Sequence, residues 1–246
     1  MKCFLIHYTP LIDRLYTALN ALRTISNDVT VIDCWDSGKI NLPFYAFKDA
    51  EMLWYMSVTK ILPILEANAG YPEGSISRYD HSLWPTWLKY RPLRDGEISV
   101  CLKHYYAISA IALSDDKYGI IAEDDIILKS TSGEQFLQTM NELSMHAGDY
   151  LDLAGGCSLK AASSARYEYI ETVVPPSTRT NACYAISKKG ARFLANNFLP
   201  FIMPIDWHLT LLLNMEDKFS CFWVKEPVFL HGTETGYYQS WRLSNS

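Results

Sequence analysis

Residues 118–128 read Tyr-Gly-Ile-Ile-Ala-Glu-Asp-Asp-Ile-Ile-Leu, and they constrain the fold more than any other stretch of the chain. Two short apolar runs flank three consecutive acids, Glu123, Asp124 and Asp125. An apolar run of this length, rich in β-branched residues, reads as a buried strand. Burying three adjacent carboxylates without partners is very costly. The acids are therefore expected where the strand leaves the sheet and opens onto a cleft. Clustered carboxylate oxygens suit a hard cation such as Mg2+ or Mn2+. Such an ion would neutralise the charge of a diphosphate. The alternative is an acidic turn on a solvated strand end, because acidic triplets are common on surfaces.

The N-terminal third reads as the opening of a nucleotide-binding α/β unit. Residues 2–8 are a first strand, Thr9-Pro10 breaks it, and 11–22 carry apolar residues at helical spacing. Residues 29–34 are a second strand, ending at Trp35-Asp36-Ser37-Gly38. No Gly-x-Gly-x-x-Gly follows the first strand, which disfavours a dinucleotide fold. Thr9 and Arg14 stand where they would meet a nucleotide; an ordinary turn with a surface Arg is the plainer reading. Residues 39–70 read as a connection and a helix over 50–66, which Pro63 kinks or ends. Residues 70–95 interleave prolines and glycines with Tyr71, Tyr79, Trp84, Trp87 and Tyr90. A loop of this length is expected to be functional, here an acceptor lid, although packing explains each single aromatic as well.

The rest of the chain alternates strands and helices. Residues 97–113 read as a helix with the acid Glu97 at its positive end. His104 shares a face with Val100 and Cys101, the usual setting of a hydrogen-bonded core histidine. An amphipathic helix over 134–146 precedes a strand over 150–156 that ends in glycines. Asp152 on it either faces the cleft or satisfies nearby backbone. Residues 159–179 read as a hairpin or loop, 180–187 as a strand and 188–198 as a helix. Asp206 follows Met203-Pro204-Ile205 and precedes an apolar helical run, the position of an N-cap. A carboxylate at a helix mouth can also take the proton of a hydroxyl. His208 lies close to it, either as a second site residue or only as cover for the helix. Strands over 222–224 and 227–230 lead to His231-Gly232, by itself a turn histidine.

Bulk properties narrow the class. The 246 residues, 49% hydrophobic, suit one large α/β domain or two small ones. A net charge of −5 without a basic run argues against nucleic-acid binding and against a polybasic membrane anchor. The cysteines at 3, 34, 101, 157, 183 and 221 form no Cys-x-x-Cys pair, so they read as free thiols rather than a zinc site. No apolar run approaches spanning length. The expectation is a cytoplasmic protein, at most peripheral to a membrane that carries its acceptor.

Several motifs then fall in one order. Gly96-Glu97-Ile98-Ser99-Val100-Cys101-Leu102-Lys103-His104 precedes a helix and the Glu-Asp-Asp strand. Tyr184-Ala-Ile-Ser-Lys-Lys-Gly-Ala191 and Pro204-Ile205-Asp206 follow. This order resembles glycosyltransferase family 25, the lipopolysaccharide galactosyl- and glucosyltransferases related to collagen galactosyltransferases. Ser99 stands where the family usually has Gly, and Lys103 where it usually has Ser. The resemblance covers the middle and C-terminal parts of the chain.

The resemblance implies a single GT-A-type α/β domain over 1–246, a mixed central sheet flanked by helices. A nucleotide-binding half would run to about 128 and an acceptor half over 129–246. It implies an inverting, metal-dependent transfer of a hexose from a UDP-sugar to a glycan or lipid-linked glycan hydroxyl. Asp206 would be the general base. Glu123, Asp125 and His231 would hold Mn2+ or Mg2+. Thr9, Arg14, Glu97, His104, Glu123 and Asp124 would line the donor site, with Asp124 orienting ribose or sugar hydroxyls. Thr233, Glu234, Tyr237, Tyr238 and Trp241 would fold over the donor. Two other classes stay open at this point. One is a silent sugar- or nucleotide-binding relative or scaffold. The other is a metal-dependent phosphoryl-transfer enzyme, disfavoured because no phosphate-cradling Gly-rich loop with Lys is present.

Overall fold

The computed structural model describes residues 1–36, 93–129, 132–156, 159, 166–215 and 219–239. The helix read at 50–66, most of the aromatic loop at 70–95, Cys157 and Trp241 lie outside these residues. The chain opens with β1 (Cys3–Ile6), α1 (Ile12–Arg23) and β2 (Val29–Ile32). Next come α2 (Asp95–Leu113), β3 (Tyr118–Glu123), β4 (Ile126–Leu128) and α3 (Ser132–Met145). The remainder is β5 (Tyr150–Asp152), β6 (Ile170–Thr172), β7 (Cys183–Ser187), α4 (Lys188–Asn197), α5 (Ile205–Leu213), β8 (Cys221–Val224) and β9 (Phe229–His231).

Among the described residues, seven strands form one mixed sheet in the order β2-β1-β3-β7-β5-β8-β6. β1 runs parallel to both β2 and β3, whereas β7 is antiparallel to β3 and β5. Side chains alternate between two cores, as the pleat requires. Phe4, Ile6, Ile121, Tyr184 and Ile186 face α2, α4 and α5. Cys3, Leu5, Ile120, Ala122, Cys183 and Ala185 face α1 and α3. Burial on both faces explains why the central strands read as continuous apolar runs. The fold is thus the mixed α/β sheet flanked by helices that the sequence implies. No helix among the described residues is long and apolar enough to cross a membrane.

Local chemistry sets the helix ends. Ser187 closes β7 and caps α4, its hydroxyl accepting from the Gly190 N–H at 2.9 Å. Glu97 reaches back from the first turn of α2 to accept from the Arg94 N–H at 2.9 Å. Asp206 differs from its expected place: Pro204 is the N-cap of α5, and Asp206 sits inside the first turn without capping it. A proline suits the edge of a helix because its missing N–H is not needed there. Asp206 is thereby left to other partners. β6 lies in the stretch read as a hairpin or loop, where it pairs with β8 at the sheet edge.

Candidate active site

β3 runs between β1 and β7, so its C-terminal end is fixed from both sides. Ile6 lies opposite Glu123, whose N–H donates to the Ala182 carbonyl at 2.8 Å. The chain then turns at Asp124 and Asp125 and leaves the main sheet. β4 pairs instead with β9, which places Ile126 opposite His231. The three acids therefore stand where the strand leaves the sheet, as the sequence suggests. Each has a different set of neighbours.

Asp124 is buried and faces the end of β1. Its Oδ2 accepts from the Tyr8 N–H at 2.9 Å and lies 2.8 Å from His7 Nδ1. Arg14 approaches Oδ1 at 3.9 Å. The guanidinium also donates to the Gln239 carbonyl and lies 4.8 Å from the centre of the Tyr238 ring. Arg14 thus ties α1 to the segment after β9, so Tyr238 does come to the acidic turn. Thr9 is exposed beside this loop, with its hydroxyl 3.4 Å from the Asp33 carbonyl.

Asp125 meets the far end of the chain. Its Oδ2 lies 3.0 Å from His231 Nε2 and accepts from the Thr233 hydroxyl. Burial pushes the Asp125 carboxyl up, but His231 and Thr233 outweigh it and hold the group below the ordinary carboxylate range. Burial likewise pushes His231 down, yet contact with Asp125 raises the imidazole to about 9. Among the described residues, the buried Asp125 Oδ1 has no hydrogen-bond partner. An orphaned carboxylate oxygen of this kind suits a hard cation. His231 would have to give up its proton to become a ligand. Among the described residues, no group of three His, Cys, Asp or Glu side chains is arranged to hold a metal.

Glu123 belongs to a second network. Its Oε1 lies 3.3 Å from His104 Nε2, and His104 Nδ1 lies 2.9 Å from the Tyr184 hydroxyl. His104 is fully buried on α2, and its ring stacks on Tyr184. Burial, then the charges of Glu123, Cys183 and Asp206, keep the Tyr184 phenol protonated well above its usual range. A protonated phenol is able to donate to Nδ1, the tautomer in which Nε2–H faces the carboxylate.

Asp206 is near enough for its charge to act on Tyr184. Its Oδ1 accepts from Asn181 Nδ2 at 2.9 Å, and its carbonyl accepts from the Thr178 hydroxyl at 3.0 Å. His208 points elsewhere: its Nε2–H donates to the Phe198 carbonyl at 2.7 Å within the core. Asp152 satisfies local groups and not a cleft. Its Oδ1 accepts from the Ala154 and Gly155 N–H groups and from Arg179 at 2.9 Å.

Other residues joined to these networks were not read as site residues from the sequence. Lys103, one of the two departures from the family pattern, is almost fully buried. It donates to the His7 carbonyl at 2.5 Å and to Asp36 Oδ1 at 2.7 Å. His7, Asp36 and Asn181 were also unmarked. Asn181 falls in the stretch read as a strand over 180–187, but β7 begins at Cys183 and Asn181 precedes it in the left-handed conformation, φ 54°, which Asn tolerates.

Comparison with known families bears directly on this arrangement. The model of glycosyltransferase family 25, described as a lipopolysaccharide biosynthesis protein family, matches residues 72–209, more than half of the chain. The chain belongs to glycosyltransferase family 25. The match includes Glu97, His104, the three acids and Asp206. Thr9, Arg14 and His231 lie outside it. No curated protein matches the sequence. Among solved structures, the chain is similar to S. aureus TarS 1-349 in complex with UDP, at 13% identity and a TM-score of 0.42. That match covers 91% of this chain and 60% of the other. TarS 1-349 in complex with UDP-GlcNAc matches at 12% identity, covering 98% and 62%, with a TM-score of 0.36. The apo form of mouse xyloside xylosyltransferase 1 matches at 11% identity, covering 88% and 82%, with a TM-score of 0.34. The chain therefore spans about 60% of the length of the TarS structures.

Proposed function

We propose that this family 25 chain moves a hexose, galactose or glucose, from a UDP-sugar to a hydroxyl of a glycan or lipopolysaccharide acceptor. The observation that carries the reading is the meeting of Asp125 and His231 beside Glu123. Two residues expected to share one ion come from distant parts of the chain to 3.0 Å. The half to about residue 128 would bind the nucleotide, and 129–246 would present the acceptor. Thr9, Arg14 and Asp124 serve the donor side by fixing the loop after β1. Glu97 and His104 support it from α2.

In the reaction, an acceptor oxygen forms a bond to the anomeric carbon. The bond from that carbon to the UDP oxygen breaks, and UDP leaves with the bonding pair. Asp206 takes the proton of the attacking hydroxyl. One displacement inverts the anomeric centre. Mn2+ or Mg2+ would be held by Asp125, through Oδ1, with Glu123 and a deprotonated His231 after their side chains rearrange, since the three do not yet stand as a ligand set. A bound divalent cation would neutralise charge on the departing diphosphate. His104 keeps Glu123 oriented from below.

Calorimetric titration with UDP-galactose and UDP-glucose, with and without Mn2+, tests the donor side. Binding that strengthens with Mn2+ in the unaltered chain and loses that dependence in Asp125→Asn supports the reading. Equal binding by both proteins in the presence of Mn2+ would remove Asp125 from the metal site.

A further inference from the structure

Asp206 is held by a buried amide that lies outside the motifs on which the family resemblance was read. Asn181 is fully buried, two residues before β7, in the left-handed conformation. Its Nδ2 donates to Asp206 Oδ1 at 2.9 Å. Its Oδ1 accepts from the Tyr150 hydroxyl at 3.1 Å. The carboxylate fixes the orientation of the amide, since turning it over would set two acceptors face to face. The phenol fixes it again from the other end. Burial and the nearby Asp152 keep the Tyr150 phenol protonated well above its usual range, so it remains a donor.

The segment carrying Asn181 is itself anchored. Trp223 Nε1 donates to the Ser177 carbonyl at 2.8 Å, and the Thr180 hydroxyl donates to the Gly155 carbonyl at 2.8 Å. The Ala182 carbonyl holds the Glu123 N–H. One short stretch thus touches both Asp206 and Glu123.

We infer that Asn181, oriented by Tyr150, is a positioning residue that aims the carboxylate of Asp206 at the acceptor hydroxyl. This rests on the reading of Asp206 as the base. A base bonded through one oxygen to a rigid donor loses the freedom to rotate away from the attacking group. A neutral amide can do this without adding a competing charge.

The test combines Asn181→Gly, Asn181→Asp and Tyr150→Phe, with Asp206→Ala as reference. Glycine keeps the left-handed backbone and deletes the amide. Aspartate keeps both the shape and tolerance of that backbone, but turns a carboxylate toward Asp206. UDP release from UDP-galactose and UDP-glucose, with water as acceptor, gives kcat and donor KM. The inference predicts kcat down roughly 10-fold in Asn181→Gly and further in Asn181→Asp, with donor KM unchanged. Tyr150→Phe falls less than either. A purely structural Asn181 would instead lower the melting temperature of the variants and leave kcat per folded molecule unchanged. That result, or a loss confined to KM, overturns the inference. Full activity in Asp206→Ala overturns the base reading itself. Inactive Asp206→Ala beside fully active Asn181 variants leaves that reading standing and removes Asn181. A second readout needs no turnover. One Asn181 side-chain amide proton, assigned by its absence in Asn181→Gly, should lie downfield and move back in Asp206→Ala. An unmoved resonance contradicts the contact.

Discussion

His231 Nε2 stands 3.0 Å from Asp125 Oδ2, and the pairing of β4 with β9 puts His231 directly opposite Ile126, the residue after that acid. Two strands of three residues each therefore carry the meeting of the acidic turn with the C-terminal segment. The Gly232 N–H donates to the Asp125 carbonyl at 2.7 Å, which fixes the backbone of the pair as well as its side chains.

Asp125→Asn keeps the shape of the side chain and removes its charge. UDP release is expected to fall on the order of 100-fold, the scale seen when one electrostatic stabiliser of a transition state is lost. Circular dichroism should show the same fold in both proteins. A turnover equal to that of the unaltered chain would remove Asp125 from the chemistry.

His208 should make the protein sensitive to acid. Burial outweighs its bond to the Phe198 carbonyl and lowers the imidazole from 6.5 to about 4, so the folded protein holds it neutral. Between pH 6.5 and 4 the unfolded chain binds the extra proton and the folded chain does not. Stability from this group is complete above pH 6.5 and is lost as pH falls toward 4. The total is about 3 kcal/mol. Urea unfolding at pH 4.5 and 7.5 should show a smaller difference in His208→Gln than in the unaltered chain.

Lys103 and Asp36 form a buried ion pair at 2.7 Å. Lys103→Met leaves the Asp36 carboxylate buried without its cation, and is expected to cost about 3–5 kcal/mol. Adding Asp36→Asn should recover part of that loss. Denaturant midpoints of the two single variants and the double variant give the coupling directly; additive losses would contradict it.

Gly156 has φ at 136°, and a Cβ there would stand 2.1 Å from Thr180 Cγ2 and 2.6 Å from Glu234 Oε2. Gly156→Ala should therefore lower stability by about 1–3 kcal/mol and push Glu234 away from the end of β5. A melting temperature equal to that of the unaltered chain would show that the segment after β9 yields freely.

Local pattern made much of this fold legible. The apolar run before Glu123 marked β3 and the point where its acids emerge. Helical spacing marked α1, α3 and α4 to within two residues at each end. What stayed hidden depends on the order of strands in the sheet. His7 meets Asp124 because β1 lies beside β3, and Asn181 comes near Glu123 because β7 lies on its other side. Neither adjacency is written in periodicity. The same reason hid Lys103, whose burial on α2 depends on Asp36 from the segment after β2. β6 is three residues at a sheet edge, too short for alternation to register.

Release of UDP from UDP-galactose and UDP-glucose with Mn2+ present, compared between the unaltered chain and Asp206→Ala, tests the central claim most directly. Turnover by the unaltered chain, with the first-formed sugar inverted at its anomeric carbon and the rate lost in Asp206→Ala, is the predicted result. Release of inorganic phosphate in place of UDP, or undiminished UDP release by Asp206→Ala, would contradict it.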